Sequence, residues 1–151
     1  MYRNAPLTEF AMAIYCSVIL HKFWSRRIDW SNMSNSTVEG NAWCRRYRPT
    51  TTAAARLVCL PHAGGSAPFF LPVAAALSPG VDVVAIQYPG RQDRRAEPPI
   101  SDMAVLADRI HAVLRNQPEL PLTLFGHSLG ALVGFEVARH EIGRASCRER
   151  V

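Results

Sequence analysis

The sequence has few cysteines and no arrangement of them that would bind a metal. Cys16, Cys44, Cys59 and Cys147 are far apart, and none belongs to a C-x-x-C pair or has a histidine at zinc-ligand spacing. The pattern excludes a disulfide-rich secreted fold and gives no reason to expect a metal or any other cofactor. Cys59 lies in an apolar run, which indicates a small buried core residue. We therefore expect a cytoplasmic protein.

The central part of the chain also lacks an excess of charge of either sign. The whole sequence has a formal net charge of +5, yet residues 56–140 contain seven arginines and seven acidic residues. All of the positive excess therefore comes from the two ends. A neutral central region argues against a phosphate-binding groove, so nucleic acid is not an expected partner.

The N-terminal apolar run is too short to cross a membrane. Residues 10–20 supply 11 residues, whereas a helical span needs about 20. The run has the length of a signal-peptide core, but Glu9 precedes it, a single Arg3 forms the basic region, and no clear small-residue cleavage site follows. We expect neither a membrane span nor a signal peptide.

Composition divides the chain into three parts. Residues 1–32 hold two of the three tryptophans without an assignable pattern, and Met33 opens a polar stretch. We expect residues 1–32 to be a non-native or disordered leader and residues 33–140 to be one partial globular domain. Residues 141–151 lack apolar periodicity and match what a common sequencing adapter encodes when read in frame. We expect them to be an artefactual tail outside the fold.

Between residues 56 and 140, apolar strand patterns alternate with helix patterns. Strands are predicted at residues 56–60, 81–87 and 122–125, and helices at residues 69–77, 100–114 and 129–139. Ser101 or Asp102 is expected to cap the second helix. Strands that are apolar throughout and alternate with helices predict an α/β fold, a parallel sheet with helices on both faces. The last strand is expected to leave an open edge, which predicts poor solubility.

One five-residue pattern carries the candidate chemistry. G-H-S-L-G at residues 126–130 fits G-x-S-x-G and lies between a predicted strand and a predicted helix, as this pattern requires. The tight turn needs glycine at its flanks and holds Ser128 on strained backbone with its hydroxyl above the sheet. The positive end of the following helix makes the Leu129 N–H a candidate oxyanion donor. We expect Ser128 to be a nucleophile.

The loop after the first predicted strand, residues 61–67, is the expected source of a second oxyanion donor. It leaves the same sheet edge as the serine, and its small residues permit close backbone approach. Ala63 is our candidate for this N–H, the alternative being a flexible turn without a ligand. His62 is expected to shape the loop, and neither it nor His127 to be the general base. His111 is expected on the surface of its helix or partly buried.

Three ordered segments resemble those of the type II thioesterases of the α/β-hydrolase superfamily, the stand-alone editing enzymes of polyketide and non-ribosomal peptide synthesis. The segments are L-V-C-L-P-H-A-G-G-S at residues 57–66, Q-Y-P-G-R at residues 87–91 with the arginines and Glu-Pro that follow, and G-H-S-L-G. The resemblance runs from about residue 43 to residue 140. It implies the N-terminal portion of an α/β-hydrolase domain that hydrolyses acyl thioesters carried on the phosphopantetheine arm of acyl or peptidyl carrier proteins. Arg91 would then be either a ligand contact or a solvated turn residue.

The sequence departs from this family where the rest of a catalytic triad is expected. In this fold an acid and then a histidine follow the serine along the chain. The candidates after Ser128 are Glu136 and His140, which the helical rise places roughly 12 and 18 Å away. We therefore expect a C-terminally truncated, inactive fragment that lacks both groups. Two alternatives stay open: an esterase or lipase acting on oxygen esters, and a non-catalytic fragment that binds carrier protein.

Overall fold

The computed structural model of the protein describes residues 12–14 and 41–148. Within this part of the chain the strands are β1 Met12–Ile14, β2 Cys44–Arg45, β3 Ala55–Leu60, β4 Val81–Ile86 and β5 Leu122–Gly126. The helices are α1 Leu71–Leu77, α2 Met103–Arg115 and α3 Leu129–Arg148, with short 3-10 turns at Ala67–Phe70 and Gln92–Arg94. The five strands form one sheet in the spatial order β1-β5-β3-β4-β2.

The three central strands are parallel, and their register determines where the loops emerge. β3 pairs with β5 so that Leu60 lies opposite Gly126, and β3 pairs with β4 so that Cys59 lies opposite Ala85. Parallel strands in register end at the same sheet edge, so the loops after β3 and β5 leave side by side. The predicted α/β class is confirmed. The antiparallel edge strand β2, which makes the sheet mixed, was not predicted because two residues show no alternation.

The outer edge of β5 is not open, contrary to the sequence prediction. β1 pairs in parallel with β5, with Met12 opposite Leu124 and Ile14 opposite Gly126. The three residues of β1 belong to the segment predicted as a leader, and the rest of residues 1–32 lie outside the described residues. Such pairing is a long-range event between short segments, and sequence periodicity does not report it.

Apolar residues on both sheet faces build the core. Alternate strand residues point to opposite faces, so each strand contributes to two layers. One layer packs beneath α2 and α3 and includes Val58, Leu60, Val84, Ile86, Leu124, Leu106, Ile110, Val133 and Val137. The other packs beneath α1 and includes Cys59, Val83, Ala85, Phe70 and Ala74. Helices therefore cover both faces, as predicted.

Helix α2 begins where the sequence predicts a cap. Of the two candidates, Asp102 is the cap, and its carboxylate accepts hydrogen bonds from the backbone N–H groups of Ala104 and Val105 at 2.8 and 3.1 Å. The expectation for His111 was wrong, because its side chain is only 5% exposed and lies beside His140 of α3. The interface between α2 and α3 buries it. The sequence pattern of α2 alone does not show where α3 packs.

Helix α3 is longer than predicted. Its backbone is helical from Leu129 to Arg148, beyond the predicted end at residue 139, and it passes through Gly143. A single glycine lowers helix stability by about 1 kcal/mol, which does not by itself end a helix. The artefactual origin of residues 141–151 stays a prediction, and residues 149–151 lie outside the described part.

The two described core cysteines are buried and unreactive in character. Burial raises the pKa of the Cys44 thiol to about 11 and raises that of Cys59 further. Cys59 is fully buried in the layer beneath α1, so the prediction of a small core residue is confirmed. Among the described residues, no helix is long and apolar enough to cross a membrane.

A buried ion-pair network joins the amino ends of β3 and β4. The Asp82 carboxylate accepts hydrogen bonds from Nε of Arg56 at 2.7 Å and from Nε of Arg46 at 2.9 Å, and all three side chains are largely buried. Arg56 also donates to the backbone carbonyl of Pro118 at 2.8 Å. The network borders an open cleft of about 570 Å³ at the amino ends of the strands, opposite the edge that carries the candidate site.

We expect Asp82→Asn to lower the free energy of unfolding by about 3 kcal/mol, because two buried guanidinium groups lose their shared counter-charge. Chemical denaturation followed by circular dichroism measures the loss. The matched control is Glu136→Gln, whose partner Arg139 is exposed, and it is expected to cost about 0.5 kcal/mol or less. Equal effects of the two substitutions would contradict the structural role of the network.

Candidate active site

Ser128 occupies a sharp turn between β5 and α3. Its φ of 53° lies in the left-handed region, which non-glycine residues seldom adopt, and the residue is exposed. The turn leads directly into the helix, because the Gly130 N–H bonds the His127 carbonyl at 2.9 Å and the Ala131 N–H bonds the Ser128 carbonyl at 2.9 Å. The backbone thus has the strained strand-to-helix geometry that the sequence predicted, with the serine open to solvent.

The glycines on both sides of the serine are required by close backbone contacts. A Cβ atom at Gly126 would lie 2.2 Å from the carbonyl oxygen of Gly130. A Cβ atom at Gly130 would lie 2.0 Å from the carbonyl oxygen of Leu60, at the end of the neighbouring strand. Backbone atoms at such distances have little freedom to move away. The turn therefore fits against itself and against β3 only with glycine at these two positions.

The loop at residues 61–67 lies beside this turn. The His127 N–H donates to the Leu60 carbonyl at 3.4 Å, which extends the pairing of β3 and β5 into the two loops. The Gly65 N–H bonds the His62 carbonyl at 2.9 Å, and Gly64 has a φ of 79°. This pattern is a type II β-turn with Ala63 at its second position. Ala63 is exposed at the tip.

The predicted site residues Ser128, Leu129 and Ala63 thus belong to two neighbouring loops at one sheet edge. Leu129 is the first residue of α3, where backbone N–H groups carry partial positive charge. Within the described residues, neither the Ala63 N–H nor the Leu129 N–H donates a hydrogen bond. Both N–H groups therefore lack a hydrogen-bond acceptor among the described residues.

Two histidines and a phenylalanine pack together beside the site. The rings of His62 and Phe69 meet edge to face at 5.1 Å, and those of His62 and His127 at 5.2 Å. The Nδ1 atoms of His62 and His127 are buried without a hydrogen-bond partner among the described residues. The His62 ring also packs close to Gly65, where a Cβ would lie 2.8 Å from the ring. This geometry agrees with a loop-shaping role for His62 and gives neither histidine a carboxylate to orient it as a base.

Glu136 and His140 make contacts elsewhere, as the helical spacing predicts. Glu136 pairs with Arg139 at 2.8 Å, and Nδ1 of His140 lies 2.9 Å from the Asp108 carboxylate. The first pair lies on α3 beyond the serine, and the second joins α3 to Asp108 of α2. Within residues 41–140, the structure brings no acid–histidine pair to Ser128.

A family model described as "Thioesterase domain" matches residues 55–144, which contain both loops. The chain belongs to this thioesterase family. It is 55% identical over 96 residues to "Probable cadicidin biosynthesis thioesterase" from Streptomyces griseus, covering 64% of this chain and 27% of that protein. It is 50% identical over 105 residues to thioesterase PikA5 from Streptomyces venezuelae, covering 68% of this chain and 37% of PikA5.

A solved thioesterase structure shows the same fold. The type II thioesterase BorB from the borrelidin biosynthetic cluster superposes with a TM-score of 0.69 and 52% identity, covering 72% of this chain and 44% of BorB. The superposition confirms the predicted relation to the type II thioesterases and their α/β-hydrolase fold. The chain spans about a quarter to under half of the length of these relatives.

The structure gives the Q-Y-P-G-R segment a role that sequence reasoning missed. Arg94, one of the arginines that follow this segment, had no role predicted from the sequence. It is only 6% exposed, donates to the Gln87 carbonyl at 2.8 Å and forms a double ion pair with Glu97. Its guanidinium also lies 4.4 Å from the ring centre of Trp43.

Gln87 and Tyr88 both contact the loop at residues 61–67. One feature of the sequence could have indicated this contact: Gln87 and Tyr88 lie at the end of an apolar strand pattern, at the same sheet edge as the serine.

We expect Gly130→Ala to lower the free energy of unfolding by about 3 kcal/mol, since the added methyl group overlaps the Leu60 carbonyl. Thermal and urea unfolding measure the effect. Gly80→Ala is the matched control, because its Cβ would meet nothing closer than the Leu77 carbonyl at 3.8 Å. The control should change stability by less than about 0.5 kcal/mol, and a Gly130 variant as stable as this control would refute the close packing of the turn.

Proposed function

We propose that this chain carries the nucleophile and the oxyanion hole of a type II thioesterase. The observation that carries the proposal is the exposed Ser128 at a φ of 53°, held by two obligatory glycines beside the loop of Ala63. Its substrates are acyl thioesters on the phosphopantetheine arm of acyl or peptidyl carrier proteins. The relation to BorB, described as a type II thioesterase from a biosynthetic cluster, supports this substrate class.

In the proposed reaction, the Ser128 oxygen attacks the thioester carbonyl and gives up its proton to a general base. The tetrahedral oxyanion accepts hydrogen bonds from the N–H groups of Ala63 and Leu129. The C–S bond then breaks, the thiol leaves with a proton, and the acyl group stays on the serine as an ester. Water hydrolyses this ester by the same route and releases the free acid. The positive end of α3 favours the oxyanion throughout.

We propose that sequence outside this chain supplies the general base and the acid that orients it. The support is that Glu136 and His140 are engaged with other partners far along α3. In α/β-hydrolases the triad acid and histidine follow the serine in that order. The continuing genomic reading frame beyond residue 140 should therefore encode an aspartate or glutamate and a later histidine, and we call its translation the complete gene product. We place that product in the cytoplasm, where its carrier proteins would be.

Ser128→Ala in the complete gene product should lower kcat for hydrolysis of an acyl-carrier protein by at least about 10⁴-fold, because no acyl-enzyme can form. Ser101→Ala is the control, since Ser101 is exposed and lies outside both loops. Mass spectrometry of the wild type should find the acyl group on Ser128. An active Ser128→Ala variant, or an acyl group on another residue, would overturn the proposal.

The substrate class is tested separately with matched thioesters and oxygen esters. Faster turnover of acyl-carrier protein than of p-nitrophenyl esters is expected, whereas the reverse preference would favour an esterase or lipase. A third outcome would favour a binding fragment. In that case neither the complete gene product nor its variants hydrolyse either ester, and Ser128→Ala still binds carrier protein.

Ala63→Pro should lower kcat by about 10² to 10³-fold, because it removes one oxyanion donor. The second position of a type II turn is where proline is favoured, so the substitution leaves the loop conformation intact. Ala63→Ser is the control that keeps the N–H. Thermal unfolding must show equal stability of the two variants. A normal kcat in a folded Ala63→Pro variant would exclude Ala63 as the donor.

A further inference from the structure

Two consecutive residues at the end of β4 hold the two ends of the loop that carries Ala63. Tyr88 contacts the first residue of the loop, Pro61, and Gln87 contacts the last, Ala67. Both side chains are almost fully buried, Gln87 at 1% and Tyr88 at 5% exposure. The loop itself consists mostly of small residues and has little apolar surface with which to fix its own position.

The Tyr88 hydroxyl fixes the start of the loop. It donates a hydrogen bond to the Pro61 carbonyl at 3.3 Å in a buried environment. Burial raises the pKa of this hydroxyl well above its ordinary value, so it stays protonated and remains a donor. The same carbonyl oxygen also borders Gly130, where a Cβ would lie 2.8 Å from it. The Pro61 carbonyl therefore lies between Tyr88 and the turn that carries the nucleophile.

The Gln87 amide fixes the end of the loop. Its Oε1 accepts a hydrogen bond from the Ala67 N–H at 2.7 Å, and its Nε2 donates to the Arg91 carbonyl at 3.2 Å and to Asp93 Oδ1 at 2.8 Å. With both Nε2 hydrogens engaged, the amide has one allowed orientation, with its oxygen toward the loop. A buried amide without these partners would cost stability, so the network holds a single geometry.

The network extends to the protein surface through Asp93. Its carboxylate also binds Arg45 of β2. Partial desolvation tends to raise the pKa of this carboxyl, but the hydrogen bond from Gln87 and the charge of Arg45 hold it below its ordinary value. Asp93 therefore stays ionised and keeps accepting from Gln87 at neutral pH. Arg94 donates a further hydrogen bond, to the Gln87 backbone carbonyl.

We propose that Gln87 and Tyr88 are positioning residues that set the Ala63 N–H against the oxyanion, an inference that rests on the proposed function of this loop. Neither side chain need touch the substrate. They affect the rate of catalysis through the position of the Ala63 N–H, because an oxyanion donor is effective only at about 2.7–3.1 Å from the developing charge. A displacement of about 1 Å in such a group costs up to about 10²-fold in rate.

Tyr88→Phe in the complete gene product tests the proposal, because it removes a single hydroxyl and keeps the ring. We expect kcat to fall about tenfold while KM changes less than about twofold, since the oxyanion forms only after substrate binding. Tyr47→Phe is the matched control: Tyr47 is also buried, and its hydroxyl has no hydrogen bond to this loop in the described structure. It should leave kcat unchanged.

A double-mutant cycle distinguishes positioning from general destabilisation. If Tyr88 acts through the Ala63 N–H, Tyr88→Phe should have little further effect on kcat once Ala63→Pro has removed that donor. Full additivity of the two substitutions, or an unchanged kcat in folded Tyr88→Phe, would overturn the inference. The proposed function would survive that result as long as Ser128→Ala stays inactive. An active Ser128→Ala would instead remove the proposed function itself.

Gln87→Glu examines the other end of the loop. The carboxylate can still accept from the Ala67 N–H but cannot donate to Arg91 or Asp93, so we expect a drop in kcat of about tenfold without a matching rise in KM. Hydrogen–deuterium exchange at residues 62–66 of the 151-residue chain should increase in both Gln87→Glu and Tyr88→Phe but not in Tyr47→Phe. Unchanged exchange in Tyr88→Phe would contradict the proposal even if Gln87→Glu fails to fold.

Discussion

The candidate site depends on one backbone contact, the approach of the turn after β5 to the end of β3. Gly130 lies against the Leu60 carbonyl so closely that no side chain fits between them. This contact brings the first turn of α3 next to the loop after β3, and the turn between them holds Ser128 in a left-handed backbone conformation. Strain at that residue is maintained because β5 and β3 are paired in register beneath it. The exposed serine therefore lies in a turn that is packed against the end of β3.

Buried hydrogen bonds restrain the loop that lies beside the serine. The loop at residues 61–67 is rich in small residues and would sample many conformations by itself. The buried side chains of Gln87 and Tyr88 supply its hydrogen-bond partners, and Arg94 donates a hydrogen bond to the backbone carbonyl of Gln87. Buried networks in which every group has a partner favour one geometry over others that are almost as compact. A preorganised oxyanion hole requires this kind of restraint, because its donors must be in place before the charge develops.

Family membership and site content illustrate how α/β folds distribute catalytic groups. The proposed nucleophile and oxyanion donors follow β5 and β3, two strands that are neighbours in the sheet, and both strands lie within residues 55–144. The proposed acid and base come from the ends of other strands, because this fold assembles its site from loops that are remote in sequence. Within the described chain, Asp108 and His140 form an acid–histidine pair on two helices away from the serine. Proximity in this fold is set by the sheet, and residue type alone does not make a triad.

The sequence by itself determined the three central strands, the helices between them and the turn that presents Ser128. These features depend on local physics: apolar periodicity, a capping carboxylate at Asp102, and glycines where a turn has no room for a Cβ. Tertiary structure alone decided the pairing of β1 and β2, the burial of His111, and the hydrogen bonds of Gln87 that hold the Ala63 loop. Each of these contacts joins residues that are distant in the chain. The role of a buried polar side chain depends on its hydrogen-bond partners, and only the folded structure shows which groups those are.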